Sequence, residues 1–302
     1  MFNSIQKYLL LLIFSFVALS AFAVVSEYSF TSTQAAYTEI SGGTVLGSNL
    51  NDQETFNAIP LGFVFNYNGV DYSTVSVACN GFVVMGDVAV TSNVPISTTT
   101  AGASNNLVAG LSRDLKSRDT GELMYLLSGT APNRIFTVQW KNYRRVPTTT
   151  VNDVLNFQIQ LHENGNKVAF VYGPITAVTA ATAAAIQVGL RGDSVTDFNN
   201  RTTTTDWAAT TAGTAANNNC TLSATVFPAA GLTFTFAPAV AGEPPLAAQN
   251  PTPANGAVNV ASNANLSWLV GGGVTDGYKV YLGTDNPPTN LVNGTTQTAT
   301  TY

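Results

Sequence analysis

The chemistry open to this chain is narrow: one histidine, His162, two cysteines, Cys79 and Cys220, and 17 acidic residues. His162 ends an alternating run beside Glu163. As a general base it would need a group to orient it. The spacing supplies none, and the position reads as an exposed strand end before a turn. No GxSxG, HExxH or Cys-His arrangement occurs. Carboxylate pairs of the glycosidase kind form in space rather than in sequence. The candidates Asp114, Asp119, Glu122 and Asp153 lie in turn-rich, polar contexts that read as solvated loops. No catalytic residue and no cofactor is expected.

Cys79 and Cys220 lack a partner at CxxC distance, so their spacing makes no metal site. In an oxidising compartment an isolated pair invites a disulfide. Closing a loop of that length would contribute roughly 4–5 kcal/mol on the chain-entropy model. The alternative is two buried thiols packed as small hydrophobes. Asn49-Leu-Asn-Asp52 and Asp193 to Asn200 offer oxygen ligands, but neither has the Asp-x-Asp-x-Asp-Gly spacing, and no metal site is expected. Arg191-Gly-Asp-Ser spells an attachment tetrapeptide; Arg191 directly extends the apolar run Ile186 to Leu190, so a strand-end turn is the better reading. Tyr125, Tyr143 and Trp207, if exposed, could form a platform for sugar rings, with Trp207 best placed in a Thr-rich loop. Asn200, Asn219, Asn265 and Asn293 begin formal glycosylation sequons.

The elements that must position these residues are short strands. Leu61, Phe63, Phe65 and Tyr67 share one face, and Asn68-Gly69 then favours a hairpin turn. Val75 to Met85 continues the pattern, interrupted by a turn or bulge at Asn80-Gly81. Phe136, Val138 and Trp140 alternate with Thr137 and Gln139. Leu155, Phe157, Ile159 and Leu161 alternate with Asn156, Gln158 and Gln160, the polar set facing outward. Asn164-Gly165-Asn166 joins that strand to Val168–Tyr172 as a hairpin. Ile186, Val188 and Leu190 form a further strand, and Leu232 to Phe236 a closing one. Helical periodicity is absent. Thr176 to Ala185 and Thr202 to Asn219 read as low-complexity surface loops, rich in side chains that lose χ1 freedom in helices. The pattern predicts an all-β chain: a β-sandwich over 24–236, a Pro/Ala-rich linker over 237–250 and an incomplete second β-module over 251–302.

Charged residues are only 10% of the 302, against about 25% in an average soluble protein. Hydrophobic residues, at 45%, suffice for a core. With a net charge of −5, a pI near 4.7 and no basic stripe, nucleic acid is not an expected partner. Lys7, the apolar run Leu9 to Leu19 and Ala21-Phe-Ala23 read as a signal peptide over 1–23, cleaved between Ala23 and Val24. The alternative, an uncleaved anchor, would need about 20 apolar residues. No later segment reads as a membrane span. The expected location is secreted, extracellular or at the cell surface.

Leu61-Gly-Phe-Val-Phe-Asn-Tyr-Asn-Gly, then Val77-Ala-Cys-Asn-Gly-Phe-Val-Val-Met-Gly, resembles the pressed-in aromatic stretch and Ser-Asn-Gly turn of nidogen-like extracellular domains. Ala78-Cys79 replaces the usual small polar residues. Pro132 to Trp140 and Asn156 to Glu163 are similar to that family's later strands, so the likeness covers about 61–190. Pro251-Thr-Pro-Ala-Asn-Gly, Asn265-Leu-Ser-Trp268 and Gly277 to Thr284 resemble the A, B and C strands of a fibronectin type III module, with Trp268 at its core tryptophan. Such a module has seven strands over roughly 100 residues. The expectation is therefore the front part of a longer secreted protein with further domains. The resemblance implies a nidogen-like, jelly-roll-like sandwich followed by a partial immunoglobulin-like one. It implies a non-catalytic adhesion or structural module whose partner is an extracellular protein or a glycan. Two alternatives stay open: an accessory region of a secreted hydrolase, peptidase or glycosidase, and a glycan-binding lectin-like domain.

Overall fold

The computed structural model describes residues 24–49, 53–88, 95–99, 105–146, 153–176, 183–239, 248–254, 257–258, 260–261, 263–269, 278–284 and 290–302. The expected signal peptide over 1–23 lies outside them. In chain order the strands are β1 (Ser29–Gln34), β2 (Thr44–Ser48), β3 (Thr55–Tyr67), β4 (Val70–Ala78) and β5 (Phe82–Met85). Then come β6 (Leu107–Ser112), β7 (Leu115–Ser128), β8 (Ile135–Arg145), β9 (Leu155–His162) and β10 (Lys167–Tyr172). The larger unit closes with β11 (Ala184–Arg191), β12 (Phe198–Thr202), β13 (Thr211–Ala212), β14 (Cys220–Leu222) and β15 (Leu232–Ala237). Beyond it lie β16 (Gln249–Thr252), β17 (Ser267–Leu269), β18 (Tyr278–Leu282) and β19 (Val292–Gln297).

The chain is all-β, as its alternation predicts. Seven strands form one sheet in the order β1-β15-β10-β9-β8-β7-β2. Eight strands belong to the other, in the order β13-β12-β11-β6-β5-β4-β3, with β14 added to β11. Period-2 patterning decides which face each strand buries. In β3, Leu61, Phe63, Phe65 and Tyr67 are buried while Gly62 and Val64 are exposed. Asn68 and Gly69 both take positive φ, as the tight β3–β4 turn requires. At the β4–β5 turn, Gly81 has φ +84° and an added Cβ would lie 2.1 Å from the Leu111 carbonyl oxygen, so only glycine fits. The inward faces of both sheets share one core, in which Phe65, Val77 and Val83 meet Val138, Phe157 and Phe234. Polar ties also cross the sandwich, among them Trp140 Nε1 donating to Ala78 O at 3.2 Å, Tyr172 OH to Gly110 O at 2.8 Å and Leu115 N–H to Asn80 Oδ1 at 2.9 Å.

Three expectations need correcting. The polar rows of β8 and β9 do not face water: Gln139, Asn156 and Gln158 are buried. The segment between β1 and β2 covers them. Gln139 Oε1 accepts from Ile40 N–H and Tyr37 OH, and Gln158 Nε2 donates to Thr38 O. On the opposite outer face Gln187 does the same for residues 95–99, accepting from Ile96 N–H at 2.8 Å and donating to Ser97 Oγ. Ile96 thereby caps a second, smaller core with Phe82, Val84 and Leu107. Secondly, Thr202 to Asn219, read as a low-complexity surface loop, lies at the surface for most of its length but is structured and buries Trp207. It folds back through β13, and Trp207 is 1% exposed, stacked on Phe234 and edge-on to Tyr172. Of Thr176 to Ala185, residues 177–182 lie outside the described set, and Ala184 and Ala185 begin β11.

Thirdly, Cys79 and Cys220 are buried thiols, and no disulfide joins them. Cys79 sits in the β4–β5 turn and Cys220 on β14, with β11 and β6 between β14 and β5. Three strand spacings amount to about 14 Å, twice the roughly 7 Å that a disulfide can bridge between Cα atoms.

Beyond residue 248 the described residues form two antiparallel pairs, β16 with β17 and β18 with β19. β16 begins inside the segment read as a linker.

Candidate functional site

The residues singled out by type are mostly engaged in holding the fold. His162 is half-buried rather than exposed. Its Nε2 lies 3.2 Å from Gln160 Oε1, and Lys167 stands opposite it in the β9–β10 register. Burial, with Lys167 beyond it, holds the imidazole below its ordinary pKa. Glu163 forms a two-pronged pair with Arg134, Nε to Oε2 at 2.8 Å and Nη2 to Oε1 at 2.5 Å, and that cation holds its carboxyl below the usual range. Asp153 is 0% exposed, not in a solvated loop, and is paired with Arg145. Asp119 and Glu122 lie within β7, and Asp114 in the β6–β7 turn.

The other motifs separate similarly. Arg191 of the Arg-Gly-Asp-Ser tetrapeptide is buried. Its Nη1 donates to the carbonyls of Pro95, Ile96 and Thr98, and Nη2 to Asn105 Oδ1. It clamps the loop over the second sheet and cannot also be offered to a receptor. The platform of Tyr125, Tyr143 and Trp207 does not form: Tyr143 and Trp207 are core residues, and Tyr125 stacks on Phe136. Asn200, a formal sequon, is buried, donating to the carbonyls of Ala215 and Ala216. Leu50 to Asp52 lie outside the described residues. Asp197 Oδ1 accepts from Ser26 N–H, and burial above all raises its pKa. Among the described residues no three His, Cys, Asp or Glu side chains stand close enough to hold a metal ion.

A concave site does exist, at one edge of the sandwich. Edge strand β1 of the first sheet meets β12 and β13 of the second across a groove of about 600 Å³. Glu27, Ser29 and Phe30 line one wall, and Asn199, Arg201 and Thr211 the other; β16 and β17 contribute Asn250 and Leu269 at its end. Glu27 and Arg201 are its charged residues. Arg201 is 7% exposed, and its guanidinium carbon lies 3.7 Å from the centre of the Phe30 ring. Loss of solvent lowers its pKa to about 10. Glu27 moves the other way, raised by burial and then by nearby Asp197. Sequence reasoning missed this site because its walls come from segments some 170 residues apart. The one available signal was an arginine in a run, Asn199 to Thr205, that holds no acid.

A family model described as NIDO related matches residues 27–238, and the chain belongs to that family. The match spans all of β1 to β15, the two-sheet unit to which the nidogen-like resemblance pointed. No curated protein and no solved structure matches the chain.

Proposed function

We propose that this member of the NIDO-related family is a non-catalytic extracellular module, serving adhesion or structure in a multidomain secreted protein and binding its partner in the edge groove. The carrying observation is how the acid–base groups are engaged. The single histidine faces an amide and a lysine, Asp153 is locked onto Arg145 and Glu163 onto Arg134. Each is used to hold strands or turns. Domains of this family are typically extracellular, which supports reading residues 1–23 as a secretory leader. Among the described residues no helix is long and apolar enough to cross a membrane. For residues 251–302 the fibronectin type III reading is supported by Trp268 on β17 meeting Tyr278 on β18 edge-on, with ring centroids 5.2 Å apart.

The test uses the purified chain from Val24 with panels of peptide, ester and glycoside substrates. No turnover is expected from the chain or from a His162→Ala variant. Hydrolysis abolished by one substitution within residues 24–237 refutes the reading.

A further inference from the structure

The described structure buries three arginines, Arg145, Arg191 and Arg201. A buried guanidinium is tolerable when its charge is paired or its N–H groups are closed by acceptors. Arg145 meets Asp153, and the Nη atoms of Arg191 meet four acceptors although its Nε, too, is buried without one. Arg201 is less well satisfied than either, with a single side-chain acceptor. Nη2 donates to Thr210 O at 2.8 Å, Nε is buried with no acceptor, and no carboxylate pairs with it among the described residues. The Phe30 ring under it is a partial substitute for an anion. This under-satisfied cation lines the groove described above.

We propose that the edge groove binds a sugar bearing a carboxylate, such as a uronic acid, with the carboxylate on Arg201. A carboxylate supplies the counter-charge that the planar guanidinium lacks. The remaining lining suits hydroxyl groups: Glu27 and the Asn199 amide oxygen can accept from them, beside the hydroxyls of Thr211 and Thr214, while the Asn199 N–H groups already donate to Val25 O and Tyr28 O. A groove of about 600 Å³ is within the range of small-ligand sites. A neutral sugar would leave Arg201 without its counter-charge. An acidic peptide would offer Glu27 further negative charge in place of hydroxyls, against a chain whose net charge is already −5. This inference rests on reading the groove as the module's binding site, and names what it binds.

The experiment titrates the chain from Val24 with glucuronate, glucose and a tri-glutamate peptide, read by calorimetry and ligand-observed NMR. Glucuronate should bind saturably at millimolar concentrations, and glucose about tenfold more weakly or not at all. Arg201→Met should weaken glucuronate by at least about tenfold. Because that residue is buried, Ala212→Trp provides the second variant. Ala212 is exposed at the rim, so the indole should block the groove without unfolding the sandwich, and abolish binding. Equal binding of glucose and glucuronate, or binding of the peptide alone, overturns the acidic-sugar assignment while leaving the groove as the site. Glucuronate binding untouched by Ala212→Trp overturns the groove itself. Absence of saturable glucuronate binding overturns the inference, and the substrate panels still judge the non-catalytic reading separately.

Discussion

Replacing Asp153 with Ala should be among the most damaging single changes in the sandwich. The Asp153 carboxylate is fully buried, with Oδ2 accepting from Arg145 Nε at 2.5 Å and Oδ1 from Arg145 Nη2 at 3.0 Å. The pair fastens the end of β8 to the segment that leads into β9. Removing the acid leaves a buried guanidinium without its counter-charge, with a 3.4 Å bond to Leu222 O among its remaining contacts. Breaking a buried pair from one side costs about 3–5 kcal/mol, because the surviving charge stays desolvated. For a domain of this size each kcal/mol shifts Tm by roughly 2–4 °C, so the loss should be on the order of 10 °C. Urea titration and calorimetry of the chain from Val24 measure both quantities. A double variant, Arg145→Met with Asp153→Leu, removes both charges and should recover most of the stability. A loss under about 1 kcal/mol for Asp153→Ala, the value of an exposed pair, refutes the reasoning.

Trp207→Ala should destabilise by about 3–5 kcal/mol, because the indole fills space between Tyr172 and Phe234 and donates to Thr221 O at 2.8 Å; an unchanged urea midpoint would return Trp207 to the surface. Burial pushes the Cys220 thiol up to about 12, so thiol reagents at pH 8 should leave it unlabelled in the native state and label both cysteines in urea without prior reduction. Unreduced protein that resists labelling in urea would restore the disulfide. The lowered His162 pKa means that protonation is disfavoured in the fold, so its contribution to stability is present above about pH 6.5 and is lost as pH falls through the lower folded value. His162→Gln should therefore narrow the Tm difference between pH 7.5 and pH 5, and an unaltered difference would remove His162 as a cause.

The strands were legible because alternation is local. Leu61 to Tyr67 and Leu155 to Leu161 declare their apolar face within a few residues, and the Asn-Gly and Asn-Gly-Asn turns fix how neighbouring strands return. The same alternation is silent on whether the opposite face is wet. Gln139 and Gln158 read as solvent-facing positions, yet they, like Gln187 on the other sheet, pin a covering segment whose position depends on residues about 90–120 away in sequence. Burying them is tolerable because their donors and acceptors find partners: an amide row with closed hydrogen bonds loses little relative to water, whereas an open one is expensive. Trp207 escaped for a related reason. A Thr-rich context describes the loop around it, not the Phe234 face on which the loop lies down. The groove obeys the same accounting with the opposite result. Arg145 finds a carboxylate and Arg191 four acceptors within the fold, while Arg201, placed between an aromatic ring and an open cleft, finds one. Strand periodicity gives Arg201 and Asn199 the same parity and nothing more. What distinguishes Arg201 is a single acceptor together with a place in the groove lining, which becomes visible only when β1 and β12 are brought to the same edge.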